Sequence, residues 1–161
     1  MDQTSLIMRS LLFLVFAAIV GFKSRAQQSD PIRKKHFNLE SNLAIHGYDP
    51  VAYFLQGAAV KGKKDLAVYH QGIIYYFSSV ENKEEFKKNP DKYEPQYGGW
   101  CAYAMGAGEG KVDVDPKTFK ILDGKLYLFY NRFFNNTLPE WNKDEANLKS
   151  KADNNWTKIY H

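Results

Sequence analysis

Apolar and polar positions alternate with different periods along this chain, and each period predicts a different element. Leu66, Val68 and His70 alternate with Ala67 and Tyr69, Gln71-Gly72 turns the chain, and residues 73–77 return. That period of two predicts a β-hairpin over residues 65–78. A second hairpin is predicted where residues 118–122 and 125–130 flank Asp123-Gly124, a pair favoured in type I′ turns. Near the end the period lengthens. Trp141, Leu148, Ala152, Trp156 and Ile159 recur at helical spacing, which predicts one amphipathic C-terminal helix packed across the sheet.

Polar punctuation places the shorter elements. Asp49-Pro50 sets a capping carboxylate before a proline, so a short helix is predicted through Tyr53 and Phe54, stopping at Gly57. Ser78-Ser79 offers caps, with Glu81 three residues after Ser78 as in a capping box, and the helix that follows runs through Phe86 until Asn89-Pro90 ends it. Gly98-Gly99 precedes a compact apolar segment over residues 100–105, bounded by Gly106. Thr137 and Glu140 repeat the capping-box spacing with Pro139 in the first turn. Two hairpins mixed with several helices predict a small single domain of the α+β class.

The unbroken apolar run at residues 11–20 belongs to neither pattern. A short polar stretch with Arg9 precedes it, and Ser24-Arg25-Ala26 follows, with small residues three and one positions before Gln27. This is the layout of a secretory signal peptide. The run is shorter than the about 20 residues a membrane-spanning helix needs, so no stable span is expected after cleavage. The expected division is a signal peptide at 1–26, a flexible polar lead-in at 27–35, and a domain with a C-terminal helical extension at 36–161. The expected address is the periplasm or the medium.

Composition changes this picture in two respects. Residues 1–26 contribute Arg9, Lys23 and Arg25 against Asp2, so their removal lowers the formal charge from +4 to +2. So small a charge is no footprint for nucleic acid. Cys101 is the single cysteine, so an exported chain of this sequence forms no internal disulfide and depends on packing. Aromatic residues at 16% supply material for that packing.

His70, Gly72, Tyr75, Phe77, Ser79, Phe86, Asn89, Pro90 and Tyr93, with Asp49-Pro50-Val51 upstream, resemble the YHS domain. That module is found in copper-transporting ATPases and in many exported bacterial proteins. Residues 47–54, 97–102 and 123–127 are similar to an exported bacterial subgroup of the same family. Many YHS modules carry cysteines that suit a soft metal, one after Asp-Pro-Val and two after the hairpin. The corresponding positions here are Ala52, Ser78 and Asn82. Alanine cannot coordinate, and neutral serine and asparagine are poor substitutes for thiolate, so no cysteine-cluster copper(I) or zinc site is expected.

Candidate chemistry then rests on Cys101, His46 and His70, as metal ligands for a transition metal ion or as a thiol with a basic partner. No catalytic residue is assigned. A small buried cysteine and two structural histidines form the competing reading. Asp113 and Asp115 lie near glycines but lack the calcium-loop pattern, and residues 106–110 lack the lysine and hydroxyl of a phosphate loop. Three functional classes follow. The first is an exported non-enzymatic protein of the cell envelope binding a metal ion or small ligand near Cys101 and His46. The second is a thiol-dependent enzyme using Cys101 with a histidine, and the third is a structural or partner-binding module.

Overall fold

A computed structural model describes residues 26–160. The expected signal peptide lies outside the described residues except for Ala26. Helix α1 (Ala26–His36) leads into a short antiparallel pair, β1 (Leu39–Glu40) and β2 (Leu43–Ala44), then a 3₁₀ turn over Ile45–Gly47 and the short helix α2 (Ala52–Leu55). The first hairpin is β3 (Lys63–His70) with β4 (Ile73–Phe77). Helices α3 (Val80–Lys88) and α4 (Pro90–Tyr93) follow, then a 3₁₀ turn over Gln96–Gly99 and helix α5 (Ala102–Ala107). The second hairpin is β5 (Asp115–Leu122) with β6 (Lys125–Phe129). A third, minimal hairpin pairs β7 (Asn131–Arg132) with β8 (Asn135–Asn136), and α6 (Leu138–Lys143) and α7 (Glu145–Tyr160) end the described chain.

The first four strands form one sheet in the order β1-β2-β4-β3, with β2 parallel to β4 at Leu43 and Ile74. Alternation along β4 does what its period predicts: Ile73, Tyr75 and Phe77 are buried, while Ile74 and Tyr76 between them are half-exposed. Strand β6 behaves differently, because Leu126, Tyr127, Leu128 and Phe129 are all buried. Its two faces serve two cores. Leu126 and Leu128 join Tyr75, Phe77, Phe86 and Tyr93, whereas Tyr127 and Phe129 join Met105, Trp141, Leu148 and Ala152. A strand covered on both faces reads as a continuous apolar run, which is what the sequence shows there. The α+β class and both long hairpins therefore stand as expected.

Three local expectations are corrected and one is narrowed. The lead-in expected to be flexible at 27–35 is helical, and Arg33 within it is buried because Glu94 pairs with its guanidinium. Of the two serines offered as caps for α3, Ser79 is the one used, its hydroxyl accepting from the Asn82 amide at 3.1 Å. Ser78 is committed elsewhere. Thr137 caps nothing with its side chain, and Asn136 Oδ1 accepts from the Leu138 amide instead. Finally, the single C-terminal helix is two helices broken at Asp144, and α7 packs on α5. Gly106 lies inside α5 and permits that approach, since a Cβ there would stand 2.5 Å from the Leu148 carbonyl oxygen.

Candidate functional site

Ala52, Ser78 and Asn82, the positions that the resemblance to the YHS domain aligned with cysteines, converge around one buried carboxylate. Asp49 Oδ1 accepts from the amides of Val51 at 2.9 Å and Ala52 at 3.3 Å. Its Oδ2 accepts from the Ser78 amide at 2.8 Å, the Ser78 hydroxyl at 2.6 Å and Asn82 Nδ2 at 2.7 Å. Ala52, Ser78 and Asn82 are thus neighbours through Asp49, which is fully buried. Hydrogen-bond donors surround the carboxylate on both oxygens, and a buried carboxylate needs just such donors to remain inside a protein. The residues present do not fit a soft metal. They form a closed polar knot that ties α2 to the β4–α3 junction.

Cys101 is fully buried at the start of α5. Its Sγ accepts from the Tyr130 amide at 3.3 Å and lies 3.4 Å from Thr137 Oγ1. Thr137 has a single hydroxyl proton, which it donates to the Tyr130 carbonyl at 3.0 Å. The sulfur–oxygen contact is therefore S–H to O, with the thiol as donor. A hollow of about 180 Å³ lies beside Cys101, lined also by Glu109, Val112 and Tyr130, and no histidine borders it.

His46 has different company. Its Nε2 lies 2.9 Å from Asp113 Oδ1, and Asp113 also accepts from Asn38 Nδ2 at 2.9 Å and from Arg132 at 2.7 Å. Partial burial opposes ionisation of Asp113, but hydrogen bonds from Asn38, the Val114 amide and His46 outweigh it and hold the carboxyl below its ordinary value. Neither Cys101 nor His70 is among the partners of His46.

His70 ends β3 with its ring edge-on to Phe86 at 5.9 Å. Its Nε2 is buried and has no hydrogen-bond partner among the described residues. Buried polar atoms are nearly always paired, so such an atom requires an explanation. Asp91 Oδ1 stands 3.9 Å away on α4, and Glu94 follows one turn later. One ligand atom from each of His70, Asp91 and Glu94 lies within 4.8 Å of the other two.

Glu94 is anchored on its other side. Its Oε1 accepts from Arg33 of α1 and from the Tyr75 hydroxyl. Burial, reinforced by the Glu94 carboxylate, pushes the Tyr75 phenol well above its ordinary range, so that phenol remains a donor. Burial opposes the Arg33 charge, but the hydrogen bond and charge of Glu94 prevail and raise its pKa. Asp91 and Glu94 also border an open cavity of about 340 Å³ that Phe37, Trp156 and Tyr160 help to line.

Spacing along the chain gave no warning of this cluster. Asp91 and Glu94 look like ordinary helix-surface carboxylates, and Arg33 sits in a stretch that reads as a tether. The one available signal was His70 at a strand end facing the Asn89-Pro90 helix start. Residues 51–97, which include all three cluster residues, match the family model of the YHS domain. No curated protein and no solved structure matches the chain.

Proposed function

We propose that this chain, with its YHS domain at residues 51–97, is an exported, non-enzymatic protein of the cell envelope that binds a divalent transition metal ion. The ion is held by His70, Asp91 and Glu94. The observation that carries this reading is the buried, unpartnered His70 Nε2 with two carboxylates beside it. One imidazole and two carboxylates suit zinc, manganese or iron(II) better than copper(I), which prefers sulfur. Ligand–metal distances of about 2.0–2.2 Å put donor atoms roughly 3 Å apart, so the 3.9 Å between His70 and Asp91 must shorten slightly. Asp91, with 84% of its side chain exposed, is free to make that move. Arg33 balances Glu94, and Asp91 supplies the remaining negative charge. Cys101 supports the non-enzymatic reading, since its thiol is buried and its hydrogen-bond partners among the described residues, Thr137 and the Tyr130 amide, are not bases.

The test is a zinc and manganese titration of metal-stripped protein beginning at Gln27, in competition with a chromophoric chelator. One ion per chain is expected, with affinity falling at least about 100-fold in His70→Ala and Asp91→Asn. Cys101→Ser and His46→Ala should bind as well as the parent. Because ligation needs neutral imidazole, uptake should weaken on acidification. Binding that survives loss of His70 and Asp91 together would overturn the assignment. Export is checked separately by N-terminal sequencing of native material, which should return Gln27.

A further inference from the structure

The four two-residue hairpin turns of the described chain each place both central residues at positive φ. Three of them place an asparagine or a glycine at the second central position: Ser41-Asn42, Gln71-Gly72 and Asp123-Gly124. The left-handed region crowds Cβ against the backbone, so glycine and asparagine are the usual occupants. The fourth turn, between β7 and β8, is Phe133-Phe134, with φ of 52° and 65°. Pairing of Asn131 with Asn136 and Arg132 with Asn135 leaves these two phenylalanines alone at the tip. They are 90% and 111% exposed, and neither ring contacts another aromatic ring among the described residues. Two bulky residues here strain the backbone and leave their apolar surface in water. Strain maintained without any packing return marks a functional segment.

We propose that the Phe133-Phe134 tip is a membrane-docking wedge that inserts into the headgroup–acyl boundary of a bilayer containing anionic lipid. The tip is convex and small. Two aromatic side chains bury about 300–500 Å² in all, well short of the about 800 Å² per partner of a stable protein interface. A bilayer demands no matching pocket and rewards apolar area directly. Charge agrees with this occupant. Residues 129–139 contain no acidic residue, and the Arg132 guanidinium beside the tip stays half-exposed while it pairs with Asp113. The asparagines at 131, 135 and 136 suit the hydrated headgroup layer around the wedge. Two side chains make a weak, reversible anchor, so attachment should depend on lipid charge and salt.

The test compares protein beginning at Gln27, which retains every described residue but Ala26, with Phe133→Asn/Phe134→Gly in the same background. That pair of substitutions installs a favoured turn, so its melting temperature should equal or exceed the parent's. The parent should float with vesicles of three parts phosphatidylcholine to one part phosphatidylglycerol, and the variant should bind at least about tenfold more weakly. A Phe134→Trp reporter should shift its emission to the blue and be quenched by brominated acyl chains. Equal flotation of parent and variant would overturn the proposal, as would no flotation of either. So would a concentration-dependent self-association abolished by the variant, because the tip would then serve a second copy of the chain.

Discussion

Cys101 shows how far a single side chain's behaviour depends on its neighbours' hydrogens. Thr137 spends its only proton on the Tyr130 carbonyl and can only accept from the sulfur. The fully buried sulfur is engaged by Thr137 on one side and the Tyr130 amide on the other. Iodoacetamide should therefore label the native protein negligibly and the unfolded protein fully. Rapid native labelling that saturates near neutral pH would reverse the assignment and restore the thiol-enzyme reading. Asp49 makes a related point. Its five donors come from the start of α2, the residue after β4 and α3, so Ala52, Ser78 and Asn82 lie together, hydrogen-bonded to the carboxylate rather than open to metal.

At the level of elements, the contact between α5 and α7 sets two effects against each other. Alanine is a better helix former than glycine by about 1 kcal/mol, which favours Gly106→Ala. The added Cβ would meet the Leu148 carbonyl oxygen at 2.5 Å, and a backbone atom inside a helix cannot step aside. Overpacking costs of about 1–3 kcal/mol should win. A net loss of stability, read as a lower denaturant midpoint at unchanged slope, is the expected result. An unchanged or higher midpoint would mean that the two helices separate easily. Helix α1 has its own attachment: Arg33 lies over the Phe37 ring at 4.5 Å while pairing with Glu94, so the segment that leads into the domain also steadies the carboxylate of the proposed metal site.

Across the whole molecule, two cores share β6, and acid should be the condition that loosens them. Asp113 is held below its ordinary 3.8 by its hydrogen bonds, against partial burial. Glu145 is held below its ordinary 4.5, chiefly by Lys120 and also by the Trp141 indole, with burial opposing. A carboxyl whose folded pKa is depressed adds stability that is complete above its unfolded pKa and is lost as pH falls through the folded one. Melting temperature should thus be flat from neutral pH to about 5 and drop below about 4. A curve that stays flat to pH 3 would show that neither carboxyl contributes.

What the sequence determined by itself is whatever a few consecutive residues decide. Alternation placed β3 and β4, Asp123-Gly124 placed the second hairpin, Asn89-Pro90 ended α3, and the lone cysteine excluded an internal disulfide. These outcomes follow from steric φ preferences, missing amide hydrogens and side-chain periodicity, all of which act within a turn or two. His70 was legible as a candidate ligand, but its partners were not. Arg33 reaches Glu94 across 61 positions, Asp49 reaches Asn82 across 33, His46 reaches Asp113 across 67 and Cys101 reaches Thr137 across 36. Only the tertiary structure decided those pairings, because polar groups choose partners after the apolar cores have set which surfaces are shut off from water, and that choice depends on the packing of the whole chain.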